Sequence, residues 1–92
     1  MKTRQSEIYA AIESERAYQD AGVADPSKPS MKSLEAGEML LAMEHCLKVA
    51  GLSWYYDKDP YPLTAEHVRK IAGLTVLFME RYGAPQRKGY ER

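Results

Sequence analysis

Two proline clusters constrain this chain more than any other feature: Pro26 and Pro29 in one, Pro60 and Pro62 in the other. Proline lacks a backbone N–H and clashes with the preceding helical turn, so neither cluster belongs inside a helix or a central strand. Residues 25–30 and 54–62 are therefore expected as loops, and the chain falls into three pieces. In each piece apolar residues recur at helical spacing. The first helix is expected over about 6–20, with Ile8, Ala11, Ile12 and Tyr18 among Glu7, Glu13, Glu15 and Arg16, stopping near Gly22. Ser30 or Ser33 is the expected cap of a second helix over about 33–51. Thr64 is the expected N-cap of a third helix over about 64–82, with Gly83 just past its end and Pro85 beyond. No run alternates at period two, so the fold class is all-α.

Projected at 100° per residue, the second helix carries Ala36, Leu40, Met43, Leu47 and Ala50 on one stripe, widened by Met39, Cys46 and Val49. The third carries Val68, Ile71, Thr75, Phe78, Met79 and Tyr82, with Glu66, Arg69, Lys70 and Gly73 turned away. The two stripes predict an antiparallel helical hairpin. Leu41, Val76 and Leu77 fall outside both stripes and suit a subunit or partner interface.

A chain of 92 residues is one domain, spanning 1–92 with a tail over 84–92. A domain of this size buries only about 60–65% of its unfolded surface. Cys46 is its single cysteine, so no intrachain disulfide adds stability. Oligomerisation of the hairpins into a larger bundle, a dimer or tetramer, is the expected remedy. The 13 Lys+Arg and 13 Asp+Glu balance to zero, which argues against a general nucleic-acid binder. Residues 1–46 hold five basic and eight acidic side chains and residues 47–92 hold eight and five, a −3/+3 division. Those surfaces can meet inside a protomer or across a subunit boundary. No apolar run approaches the roughly 20 residues that span a bilayer. The N-terminus lacks the apolar stretch of a signal peptide, and a lone thiol fits a reducing compartment. The expected location is the cytoplasm, with no membrane partner.

Glu35 and Glu38 stand three apart on one helical face, the spacing at which two carboxylates share a divalent cation; the same pair also fits a solvated acidic patch at a helix N-terminus. Trp54, Tyr55, Tyr56 and Tyr61 offer stacking surfaces for a base, and Arg16, Arg69, Lys70 and Arg87 offer cations for phosphate. Trp54 is better placed as a core plug, whereas Tyr55 and Tyr56 suit stacking or an interface equally. His45, His67 and Cys46 fit packing or surface roles, and no carboxylate orients the cysteine as a nucleophile.

Glu15-Arg16-Ala17-Tyr18-Gln19-Asp20 resembles an E-R-x-Y-Q-D signature of small phage-encoded helical proteins. Gly37-Glu38-Met39-Leu40-Leu41 resembles their G-E-x-L-L helix. Arg69-Lys70-Ile71-Ala72-Gly73-Leu74, with Met79-Glu80-Arg81-Tyr82-Gly83-Ala84-Pro85 and Arg87, resembles their C-terminal motif. The resemblance spans roughly residues 8–87 and extends, distantly, to the MazG-like all-α nucleotide pyrophosphohydrolases. In those enzymes E-x-x-E and a later E-x-x-D hold magnesium over a nucleoside triphosphate. Glu35 and Glu38 match the first half. Glu66 matches the start of the second, but Arg69 stands where the pattern has Asp, and a shift of register offers only His67 and Lys70.

The resemblance and its broken metal motif together imply a non-catalytic phage protein of the infected host's cytoplasm. It would bind and sequester a nucleotide-derived molecule, acting as an anti-defence sponge without a cofactor. The residues expected at the ligand are Arg16, Tyr18, Glu38, Tyr55, Tyr56, Arg69, Lys70 and Arg87. The alternative is a magnesium-dependent nucleoside triphosphate pyrophosphohydrolase with Glu35 and Glu38 as ligands, helped by Glu66 or Glu15. A second alternative is an oligomeric adaptor that grips a host protein through Leu41, Val76 and Leu77.

Overall fold

The computed structural model describes residues 4–21 and 34–89. Among them are three helices, α1 (Gln5–Ala21), α2 (Ala36–Tyr56) and α3 (Tyr61–Tyr82), and no strand. Gly22, Ser30, Ser33 and the first proline cluster lie outside the described residues, as do the last three of the tail.

α2 starts three residues later than expected and ends five later. Glu35 is its N-cap, in extended backbone, and Glu38 Oε1 accepts the Glu35 N–H at 2.9 Å. At the other end Gly51 does not stop the helix, which continues through Leu52 to Tyr56 with Ser53 buried. Asp57 closes it, its N–H donating to Ser53 O at 3.0 Å and its carboxylate accepting from Ser53 Oγ at 2.6 Å. α3 starts at Tyr61, ahead of the expected cap Thr64. Pro62 sits in its first turn, where a missing N–H costs nothing and the fixed φ is already helical. Thr64 instead lies in that first turn, its N–H on Pro60 O at 3.1 Å and its hydroxyl 3.5 Å from Ala50 O. The second loop thus shrinks to residues 57–60. Gly83 ends α3 with φ 104°, a backbone that favours glycine.

α2 and α3 form the antiparallel hairpin, with Leu34 level with Arg81, Met43 with Thr75 and Ala50 with Thr64. Met39 and Ala50 from α2 and Leu74 and Leu77 from α3 are the buried apolar residues, joined by buried Ser53. The buried residues of α2 are therefore Met39, Ala50 and Ser53, with half-buried Cys46 on the same line, and the expected members Leu40 and Leu47 lie outside it, largely exposed. On α3 the correction is larger. Gly73 and Leu77, expected to face away, are buried, while Val68, Met79 and Tyr82 are exposed. The cause is a second neighbour. α1 packs on α3 alongside α2, so the buried arc of α3 centres between its two contact faces rather than on its most apolar stripe. Burial of Leu77 also removes it from the host-docking surface expected with Leu41 and Val76. Trp54 is half-exposed and meets Tyr61 edge to face at 5.2 Å instead of plugging the core.

α1 runs parallel to α3. Ile8 and Ile12 share a groove with Pro62, Ala65 and Val68, Glu15 meets Arg69, and Gln19 meets Gly73. No helix of the described residues is long and apolar enough to cross a membrane.

Candidate functional site

The contact stripe of α1 is Ile8, Ile12, Glu15 and Gln19, spaced four, three and four apart. It changes character halfway: apolar toward the N-terminus, polar toward the C-terminus. Glu15, Arg16 and Gln19 are the buried residues of α1. This is the E-R-x-Y-Q-D segment, and its charged side chains face inward.

Gly73 makes that approach possible. A Cβ there would stand 2.8 Å from Glu15 Cγ and 2.9 Å from Gln19 Oε1, inside contact distance. The close seam then pairs most of its polar groups. Glu15 Oε1 accepts from Arg69 Nε at 2.9 Å, and Gln19 Nε2 donates to the Lys70 carbonyl at 3.1 Å. Arg16 donates to Gln19 Oε1 at 2.9 Å and to the Asp20 carboxylate. Its Nε is buried and has no hydrogen-bond partner among the described residues. The acidic and basic halves of the chain therefore meet inside one protomer, at Glu15 and Arg69.

Beside this seam opens a cleft of about 320 Å³ lined by Ser14, Glu15, Tyr18, Glu66, Arg69 and Lys70. Arg69 straddles it. Its Nε is held by buried Glu15, while Nη2 stands 3.6 Å from Glu66, a contact longer than a hydrogen bond. Of the eight expected ligand residues, Tyr18, Arg69 and Lys70 come together here. Arg16 belongs to the same seam but is turned into its interior. Glu38 sits at the N-terminal turn of α2, level with the end of α3 and roughly 13 Å of helix from the level of Arg69. Tyr55 and Tyr56 lie at the opposite end of α2, both more than 80% exposed. Arg87 is in the segment after Gly83 and does not line the cleft.

The donor set does not fit a magnesium site of the kind the hydrolase alternative requires. Glu38 is committed to the Glu35 N–H at the start of α2. Glu15 and Glu66, the two carboxylates of the cleft, converge on the Arg69 guanidinium, which supplies positive charge where a cation would need to stand. Among the described residues no group of three or more His, Cys, Asp or Glu is disposed to hold a metal.

Cys46 lies on the buried line of α2. Burial pushes its thiol above the ordinary value, Lys70 pulls it down, and Glu15 pushes it up. It is a packing residue at the level of the polar seam.

What sequence reasoning missed is the structural role of Glu15 and Gln19. The signal was present: both continue the Ile8–Ile12 stripe at helical spacing. A polar pair in an apolar stripe, opposite a helical glycine, is the signature of a close hydrogen-bonded seam. No known protein family matches the chain, and neither does any curated protein or any solved structure.

Proposed function

We propose that this protein binds a nucleotide-derived anion in the α1–α3 cleft and holds it without turnover, so that its effect is sequestration. The observation that carries the reading is Arg69. Its Nε is locked on a carboxylate that is 4% exposed, which orients the guanidinium plane and leaves the terminal amino groups as the donors open to a phosphate. Lys70 adds a second cation and Tyr18 an aromatic face on the same wall. The cleft has the volume of small-ligand sites, whose usual range starts near 300 Å³. The cation that faces the cleft carboxylates supports sequestration rather than hydrolysis; the anti-defence role in a phage rests on the motif resemblance.

The cleft has no excess charge: Glu15 and Glu66 offset Arg69 and Lys70. An entering phosphate therefore has to take Arg69 from Glu66, the longer and more exposed of its two contacts. That competition gives the reading a test with two opposite signs. In a thermal-shift and calorimetric screen over mono-, di- and cyclic nucleotides, Glu66→Gln strengthens binding, by up to about 1 kcal/mol. Lys70→Ala weakens it by about 1.5 kcal/mol. The ligand is recovered intact by mass spectrometry after incubation with magnesium. If no nucleotide raises the melting temperature, the reading is lost; if magnesium-dependent cleavage is observed and Glu66→Gln abolishes it, the hydrolase alternative replaces it.

A further inference from the structure

Among the described residues, the outer side of α2 has no neighbour. α1 packs on α3, and the buried line Met39, Cys46, Ala50 and Ser53 turns the opposite face of α2 to solvent. That face is not the polar surface expected of a solvated helix. It carries Leu41, 67% exposed, and Tyr55, 83% exposed, with Leu40 and Leu52 on its flanks, each more than half exposed. Single exposed leucines are ordinary, but here they alternate with features that fit one another. Gly37 and Gly51 lie on the same face, and a Cβ at either would have nothing within 4 Å. They are open hollows in the helix surface. Glu44 and Lys48, also exposed, lie between them, and neither is in an ion pair among the described residues.

The complementary features share one centre. Leu41 and Gly51 are equidistant from position 46, as are Tyr55 and Gly37, Glu44 and Lys48, and Leu40 and Leu52. Two copies of α2 laid antiparallel about a two-fold axis level with position 46 therefore meet knob to hollow and acid to base, each contact occurring twice, with the leucines flanking the seam. We propose that the outer face of α2 is the interface of a homodimer of this chain, with Leu41 seated on Gly51 of the partner subunit, Tyr55 on Gly37 of the partner subunit, and Glu44 paired with Lys48 of the partner subunit. Reciprocity of this kind is what an isologous interface requires. A host protein has no reason to repeat the pattern about one midpoint. The glycines allow the backbones to approach closely, which for Gly51 explains its presence in a helix interior despite a cost of roughly 1 kcal/mol relative to alanine. The inference does not depend on the ligand reading, because the dimer face and the α1–α3 cleft share no residue.

The test uses the full chain and charge reversal. Sedimentation equilibrium of the unaltered protein should give a dimer that dissociates on dilution. Glu44→Lys and Lys48→Glu each place like charges opposite one another and should weaken dimerisation by roughly tenfold or more. The double swap restores the pairing in reverse and should recover the dimer. Far-UV circular dichroism of each variant, unchanged from the parent, separates loss of the interface from loss of folding. As a second readout that does not rely on charge, Leu41→Cys with Gly51→Cys in a Cys46→Ser background should oxidise to a covalent dimer. The two positions are about 15 Å apart along one helix and cannot bridge within a chain. A monomer at the highest soluble concentration overturns the proposal. So does a dimer indifferent to both single reversals, or oxidation that yields no cross-linked pair; a protein that stays monomeric alone and gains mass only with a host protein assigns the face to that partner instead.

Discussion

The two seams that meet on α3 are built on opposite principles. Against α2 the contact is apolar, with Met39, Ala50, Leu74 and Leu77 nearly or wholly inaccessible. Against α1 it is polar, with Glu15, Arg16 and Gln19 buried over the bare backbone of Gly73. Burial of a large aliphatic side chain contributes about 1.5–3 kcal/mol, does so without directional constraint, and tolerates small shifts. A buried hydrogen bond or ion pair contributes about a kcal/mol net, but a broken one exposes the full cost of an unpaired group. The apolar seam therefore supplies most of the stability, and the polar seam specifies where α1 sits. A site built on the polar seam inherits that precision of placement, and with it a fragility.

The contrast can be broken most directly at its apolar side. Leu74→Ala should cost about 3 kcal/mol in urea unfolding, within the 2–5 kcal/mol range of buried leucine truncations, and should weaken all three helices together. Arg69→Ala should cost less, about 2 kcal/mol, because half-exposure of its side chain lets water reach the abandoned Glu15 carboxylate. Its effect should be local: native-state hydrogen exchange should show α1 opening ahead of α2 and α3. Adding Glu15→Gln to Arg69→Ala should return part of the loss, since the amide needs no counter-charge. If Arg69→Ala instead costs more than Leu74→Ala, the ranking of the two seams is wrong.

A smaller effect sharpens the picture of close approach. Gly73→Ala gains about 1 kcal/mol of helix propensity but forces a methyl group against Glu15 Cγ, at a cost of about 1–3 kcal/mol for overpacking. The net expectation is a loss of about 1 kcal/mol in thermal or urea unfolding. The outward-facing Gly51→Ala, with open space around it in the protomer, should be neutral or stabilising there. Equal effects at the two glycines would remove the close seam.

The smallest expected effect is at Cys46. Burial holds its thiol pKa above the ordinary value in the folded state, so folding favours the neutral form. The corresponding stability is fully present below the unfolded thiol's pKa and is lost as alkaline pH rises from there through the higher folded-state pKa. Alkylation by iodoacetamide at neutral pH should accordingly be slower than for a free thiol and should rise to the free rate on unfolding. An already fast reaction in the folded protein would place Cys46 at the surface.

Much of this architecture is local. The second proline cluster separated α2 from α3, the apolar spacing gave the helical period, and Gly83 marked the end of α3 because few residues other than glycine adopt a positive φ after a helix. Helix starts were less legible. Thr64 has the chemistry of a cap, yet Pro60 and Pro62 start α3 one turn earlier, and the Glu35–Glu38 pair that looked like metal ligands serves the first turn of α2. The candidate site was legible in part: Tyr18, Arg69 and Lys70 were chosen for their chemistry and share a cleft, while Glu38, Tyr55, Tyr56 and Arg87 do not reach it.

Periodicity describes a helix beside one partner, and for α2, whose main partner among the described residues is α3, it came within a few residues of the buried line. α3 has two partners, and its buried face is set by the angle between them. That angle involves residues more than fifty positions apart, Glu15 with Arg69 and Gln19 with the backbone at Lys70 and Gly73. Local sequence was enough to make the helices and to supply one cation, Arg69, among carboxylates. Only the packing of α1 onto a glycine of α3 decided that this cation would be pinned by a buried acid at the edge of a cleft.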